Sequence, residues 1–328
     1  MRWAFLGIGR VTPRMVEAIR MVNGHEIVAA VARDSDALNK WCERHSVTQS
    51  SADFHRWCES PEIDAVYVAL PPHLHFEYIR HAILNGKTVL SEKPLVMNHE
   101  QALEIAQLTD EHNASVHQAT AFPFHPRSQA MKQIIASGEL GEVKRIIAAF
   151  SASHILNRGR DYRTDPTLGG GCLLDLGWYC SFATQWLTGL SVVDVSAMGT
   201  KSDQGVWISA QAIVRLSNGA IAHWDSGFDA AGRKWIEVAG SQGSVICDDF
   251  LRPWDFAKPR FWVHGSDGKA RAELIGTGFQ QEVAMVEHLA KGRTQESEQL
   301  LSIAVESHRH LDLWEKEMND RGCDGTIR

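Results

Sequence analysis

The sequence predicts an α/β plus α+β protein: an N-terminal doubly wound parallel sheet, then a C-terminal domain with a large, mainly antiparallel open sheet. Three observations predict it. Short β-rich runs alternate with helical patterns over the first 120 residues, the rhythm of a parallel sheet covered on both faces. After about Phe122 that rhythm gives way to a strand meander. And 328 residues exceed the roughly 250–300 at which a single core stops growing. The division expected is 1–122 for the doubly wound domain and 123–328 for the α+β domain.

In order, 3–6, 26–32, 65–70, 88–90 and 115–118 read as strands, rich in Val, Ile, Leu and Ala. Between them 13–21, 35–45, 51–58, 74–85 and 98–111 read as helices. A helix over 126–137 leads to a strand over 143–153, and the glycine run at 169–171 opens a helix carrying LLDLGWY at 173–179. Strands follow at 192–200, 206–216, 220–228, 235–239 and 244–248, and helices return at 280–290 and 298–318. Ser217-Asn218-Gly219 is a hairpin turn, since Asn-Gly accepts positive φ.

Composition narrows the function. A net charge of −7 gives no electrostatic footprint for nucleic acid. The longest uncharged stretch, 176–193, is diluted by Gly, Ser, Thr and Gln, so no membrane span is expected. Six cysteines without a C-x-x-C pair, and no leader-like start, point to reduced thiols in a cytoplasm. His73/His75 and Cys172/Cys180 form no convergent ligand set, so no metal is expected.

Gly7-Ile8-Gly9-Arg10 follows the first strand and precedes a helix, where backbone N–H groups can cradle a pyrophosphate. Thr12 stands where the third glycine of the Rossmann fingerprint belongs, and the stretch also reads as an ordinary strand–turn–helix. The second strand ends in Arg33-Asp34. An acid there reads the ribose of NAD and an arginine accommodates the phosphate of NADP, so Arg33 favours NADP unless it is a solvated loop charge. Leu70, Pro71 and His75 lie at the carboxyl end of a buried strand, where ligands bind in open α/β sheets, although His73 and His75 also read as solvated residues at a helix start. Glu92-Lys93-Pro94 ends another; as bare sequence it is a charged turn, but Lys93 offers a compact cation.

Together these stretches resemble the glucose–fructose oxidoreductase, inositol dehydrogenase and rhizopine-catabolism (Gfo/Idh/MocA) oxidoreductases over almost the whole chain. The resemblance rests on GIGR at 7–10, IDAVYVALPPHLH at 63–75, GKTVLSEKPL at 86–95, ATAFPFHP at 119–126, GELGEVKRI at 138–146 and GGGCLLDLGWY at 169–179. It implies a nicotinamide cofactor, NADP or NAD, bound by Gly7, Ile8, Gly9, Arg10, Arg33, Leu70, Pro71, His75, Glu92 and Lys93. It also implies that Lys93 bridges nicotinamide ribose and substrate, that Asp175 orients the substrate, and that Tyr179 is the acid/base. Arg163 matches a recurring arginine, for substrate contact or structure. The tyrosine in place of a histidine is similar to the dihydrodiol, xylose and glucose–fructose enzymes and favours NADP. Thr12, and Gln118 where a glutamate is common, depart from the pattern.

Four residues apart, Asp175 and Tyr179 would share one face of an α-helix, continued by Phe182 and Trp186. From residues alone this is a buried polar pair or a catalytic one; the resemblance favours catalysis. A free phenol, with pKa ~10, needs positive charge nearby to serve as a base. The activity expected is hydride transfer between the nicotinamide and a hydroxyl or carbonyl of a sugar, polyol or dihydrodiol-like ring, by a homodimer or homotetramer joined through the C-terminal sheet. The alternatives are an NAD-recycling glycosidase or lyase and a non-catalytic dinucleotide-binding regulator. Presence of both Lys93 and Tyr179 weighs against the regulator.

Overall fold

The computed structural model describes residues 1–156, 159, 161–252 and 257–322. The chain forms two compact units, Met1–Ala121 with Gln280–Val305, and Phe122–Phe279 with Glu306–Arg328.

In the first unit six strands pair in parallel: β1 (Arg2–Leu6), β2 (Glu26–Val31), β3 (Gln49–Ser51), β4 (Ala65–Val68), β5 (Thr88–Ser91) and β6 (Val116–Gln118). Their order, β3-β2-β1-β4-β5-β6, is that of the Rossmann fold, reversing direction between β1 and β4. Trp3–Leu6 and all of β4 are buried, as strands covered on both faces must be. The helices are α1 (Thr12–Met21), α2 (Ser35–Arg44), α3 (Phe54–Glu59), α4 (His75–Leu84) and α5 (His99–Glu111). A late helix, Gln281–Leu289, packs on α1, burying Met285, Val286 and Leu289. This corrects the boundary read from sequence, which gives everything after 122 to the second domain.

The second unit is built on an eight-stranded sheet in the order β14-β13-β12-β11-β7-β10-β9-β8. The strands are β7 (Val143–Ser151), β8 (Val192–Lys201), β9 (Trp207–Leu216), β10 (Ile221–Gly227), β11 (Arg233–Gly240), β12 (Gly243–Cys247), β13 (Arg260–Gly265) and β14 (Ala270–Leu274). Only the β7–β10 pairing is parallel; the rest are antiparallel. The Asn-Gly hairpin forms as read, with Gly219 N–H donating to the Leu216 carbonyl at 2.9 Å. Helix α6 (Pro126–Ala136) precedes the sheet and α7 (Trp178–Thr188) lies on β7 and β10. On that covered face Trp224 packs with its ring centroid 5.6 Å from that of Trp314, the rings tilted at 40°, and donates to the Thr184 hydroxyl. The opposite face carries a cross-strand row of Ile213, His223 and Ile147, the isoleucines 54% and 38% exposed.

Strands β3, β13 and β14 are absent from the sequence reading. β3 is a three-residue polar edge and β14 an exposed edge whose apolar positions are mostly alanine, so neither carries a strong strand signal; β13 lies inside the sheet and does alternate, burying Phe261 and Val263, and the sequence reading passes over it. A second correction concerns LLDLGWY. Leu173–Gly177 is a π turn, with Trp178 N–H donating to the Leu173 carbonyl five residues back, and α7 begins only after it. The wider turn removes Asp175 from the α-helical register that spacing by four assumes.

Candidate functional site

The first unit gathers its candidate ligand residues at the carboxyl ends of β1, β2, β4 and β5. Gly7 sits at φ +101°, and a Cβ there would lie 2.4 Å from the Ala69 carbonyl oxygen. Any side chain would collide with the chain leaving β4. At Gly9 the nearest atom to such a Cβ is 3.8 Å away, so the turn is open on its ligand side. Helix α1 starts with no side-chain cap and no acid in its first turn, leaving its N–H groups and the positive end of its dipole for an anion. Thr12 replaces the missing glycine by chemistry. Its buried hydroxyl donates to the Gly9 carbonyl at 2.8 Å and accepts from Trp41 Nε1 at 3.1 Å, fastening α1 to the turn and to α2. Ile8 is half-buried and Arg10 exposed.

At the end of β2, Asp34 caps α2, its carboxylate accepting from Ala37 N–H at 2.9 Å. Arg33, exposed, is left as the charged side chain facing outward from that bend. Leu70 and Pro71 follow β4, with Leu70 packed against the Gly7 turn. Glu92 follows β5 and accepts from the buried Tyr67 hydroxyl at 2.5 Å, so its carboxylate is an internal tie. Lys93 is half-buried and joined to Pro94 by a cis peptide bond. His75 is wholly enclosed, with both ring nitrogens against backbone carbonyls, a position that offers a ligand nothing. Gln118, at the end of β6, donates to Thr120 and leaves its buried Oε1 without a partner. An uncapped helix start, a turn that admits no side chain and an orphaned amide oxygen fit a dinucleotide along this edge.

In the second unit the loop 161–171 and the π turn hold Arg163 and Asp175 together. Arg163 Nε donates to Asp175 Oδ2 at 2.8 Å and Nη1 to Asp161 Oδ1 at 3.2 Å, while the guanidinium lies 4.4 Å over the Tyr162 ring. Burial opposes the charge on Arg163, but Asp175, Tyr162 and Asp161 outweigh it and hold its pKa above the usual arginine value. The loop is clamped to the glycine run: Gly170 N–H donates to the Asp165 carbonyl and Gly171 N–H to that of Arg163, both at 2.9 Å. A Cβ on Gly170 would come within 2.6–2.8 Å of three carbonyl oxygens of that loop. Tyr179 is half-buried, its ring between Trp178 (5.1 Å) and Phe150 (5.7 Å). The sequence reading passes over Asp161. An Asp two residues before Arg163, positioned to cap the short turn Tyr162–Thr164, is the signal that could have found it. Among the described residues, no group of three or more His, Cys, Asp or Glu is arranged to hold a metal, and no helix is long and apolar enough to cross a membrane.

Residues 1–120 match the oxidoreductase family with the NAD-binding Rossmann fold, and residues 128–246 match the GFO/IDH/MocA C-terminal domain. The chain is 32% identical over 241 residues to dTDP-3,4-didehydro-2,6-dideoxy-α-D-glucose 3-reductase of Saccharopolyspora spinosa, covering 73% of this chain and 72% of that protein. It belongs to the Gfo/Idh/MocA oxidoreductases. Within that family it is also 27% identical over 254 residues to trans-1,2-dihydrobenzene-1,2-diol dehydrogenase of Xenopus laevis, covering 76% of each. Among solved structures, KijD10, a 3-ketoreductase from Actinomadura kijaniata in complex with NADP and TDP-benzene, shares the fold at a TM-score of 0.88, with 23% identity over 97% of this chain and 98% of that one. This Gfo/Idh/MocA protein is therefore an oxidoreductase built on a nicotinamide-binding Rossmann unit.

Proposed function

We propose that the protein is an NADP-preferring oxidoreductase that interconverts a hydroxyl and a carbonyl on a sugar, polyol or cyclic dihydrodiol. The cofactor preference is carried by one observation: Asp34 is committed to the cap of α2, and Arg33 stands exposed at the end of β2. The names of relatives support the substrate class. They act, by those names, on a dTDP-linked keto sugar, on dihydrobenzene diols and, in Haloferax volcanii, on D-xylose with NADP.

The bound nicotinamide supplies the hydride acceptor or donor. Gly7 to Gly9 and the start of α1 bind its pyrophosphate, and Arg33 the adenosine 2′-phosphate. Tyr179 takes the hydroxyl proton in oxidation and returns it in reduction. Lys93 supplies a cation that holds the substrate oxygen. Asp175 and Asp161 fix the Arg163 guanidinium, which orients the substrate by hydrogen bonds. The enzyme works in the cytoplasm, in keeping with cysteines that are free and buried among the described residues, and as a homodimer or homotetramer.

Tyr179→Phe tests the reading, because it keeps the ring between Trp178 and Phe150 and removes the exchangeable proton. Cofactor affinity and melting temperature are expected to hold while kcat falls by roughly two to four orders of magnitude. A folded, NADPH-binding variant with undiminished kcat sinks the acid/base role. Screening aldoses, inositols and dihydrodiols with both cofactors identifies the substrate, and stoichiometric cofactor consumption separates this activity from a cofactor-recycling lyase.

A further inference from the structure

His75 opens α4 with no surface exposed to solvent. Its Nδ1 lies 2.8 Å from the Pro94 carbonyl oxygen and its Nε2 2.8 Å from that of Leu70. These two carbonyls belong to different loops. Leu70 follows β4, and Pro94 follows β5 immediately after Lys93. The β4–β5 pairing runs out at Val68 and Ser91, with one more backbone bond from Glu92 N–H to the Val68 carbonyl at 2.9 Å. Past that point the strands no longer fix the two loops to each other, and the imidazole spans the gap.

The ring is suited to that span. Two carbonyl acceptors match an imidazole that donates from both nitrogens; a neutral ring donates to one of the two loops and turns its bare nitrogen to the other. Burial disfavours the charged form of His75 and lowers its pKa, while the bonds to the Leu70 and Pro94 carbonyls act the other way. Neither nitrogen remains for a ligand, so the residue's effect on chemistry runs through what it holds.

We propose that His75 is a positioning residue: it ties the Leu70 loop to the Lys93–Pro94 turn and so sets where the Lys93 side chain leaves the backbone. The proposal rests on the reading of Lys93 as the cation that assists the reaction. A lysine stem has four rotatable bonds, so its ammonium is placed only as well as its Cα, and a shift of about 1 Å at a reacting group can cost on the order of 100-fold in rate.

The test compares the wild type, His75→Phe, which keeps a ring of similar bulk without donors, and His75→Gln, whose amide can donate to one carbonyl. For His75→Phe, kcat per folded molecule, with the folded fraction taken from circular dichroism, is expected to fall by roughly 10- to 100-fold. His75→Gln is expected to recover part of that loss. The second readout is the 13Cε resonance of Lys93 in lysine-labelled protein, assigned by its absence in Lys93→Ala. It should shift or broaden in His75→Phe, while the resonance of Lys87 stays put, because Lys87 is held separately by the Ser60 and Ile63 carbonyls. An unchanged kcat per folded molecule, or an unchanged Lys93 resonance, overturns the proposal. If His75→Phe does not fold, the same two readouts on His75→Gln decide it. Undiminished turnover in Lys93→Ala would instead sink the catalytic reading of Lys93, with the resonance still reporting the tether.

Discussion

Arg163 and Asp175 form a buried ion pair, Nε to Oδ2 at 2.8 Å, with Asp175 only 4% exposed. Removing Asp175 takes away the nearer of two carboxylates and leaves Arg163 with Asp161 alone, so the cost should fall below the roughly 3 kcal/mol of a buried charge stripped of every partner. Asp175→Ala is therefore expected to lower the melting temperature by several degrees. Asp175→Asn, which still accepts a hydrogen bond, should lower it less. If the pair serves the substrate, Asp175→Asn raises substrate KM at least tenfold and leaves NADPH affinity unchanged. A normal KM in a folded Asn variant would reduce the pair to architecture.

Arg33 gives a second test. With Asp34 committed to Ala37 N–H, an arginine contact to the 2′-phosphate should make NADPH bind more tightly than NADH. Charge-assisted bonds of this kind contribute about 1.5–3 kcal/mol, so Arg33→Ala should weaken NADPH by roughly 10- to 100-fold and leave NADH almost untouched. Fluorescence titration of both reduced cofactors measures this. Equal affinities in the wild type would overturn the NADP assignment.

The row Ile213–His223–Ile147 predicts association through the uncovered sheet face. Sedimentation of the wild type should show a dimer or tetramer. Ile213→Asp, which sets a charge in that row without touching the covered face, should shift it toward monomer. A wild-type monomer at all concentrations rules the interface out.

Two histidines predict acid sensitivity. Burial, with His288 nearby, pushes the His117 pKa down to about 4, and burial, with Arg127 nearby, does the same for His125. Unfolded histidine takes its proton near pH 6.5. Between pH 6.5 and 4 the unfolded chain thus binds more protons than the folded one. Stability is full above that window and is lost as pH falls through it, by on the order of 2–3 kcal/mol for each group. Chemical denaturation at pH 7 and pH 4.5 measures the slope, and His117→Gln should flatten it. An identical slope in that variant would remove His117 as a source.

What could be read from the sequence was whatever burial writes as an uninterrupted apolar run. Ala65–Val68 is such a run, and it located the sheet edge where Leu70 and Pro71 lie. Gly7 was legible because the close approach of the Ala69 carbonyl admits no side chain. Most hydrogen-bond partners were not legible. Asp34 immediately before the helix read at 35–45 is an N-cap signal that went unused, whereas nothing at Thr12 announces its bond to Gly9. The π turn at Leu173–Gly177 was equally hidden, because the same apolar spacing serves either helix type until neighbours fix the register. His75 looked like a ligand contact because it follows a strand at the binding edge. Its enclosure depends on the Glu92–Pro94 turn, nearly twenty residues away.

The helix Gln281–Leu289 makes the first unit a fold sewn from two distant pieces of chain. A fragment ending at 121 would contain the entire parallel sheet and every candidate cofactor residue, yet it would bare Met15, Val16 and Ile19 of α1 wherever Met285, Val286 and Leu289 now shield them. The nucleotide-binding half therefore cannot finish folding on the ribosome until translation has passed the whole eight-stranded sheet and delivered the closing helix. Loss of the C-terminal fifty residues would strip the closing helix from the N-terminal unit and Trp314 from the covered face of the second sheet at one stroke.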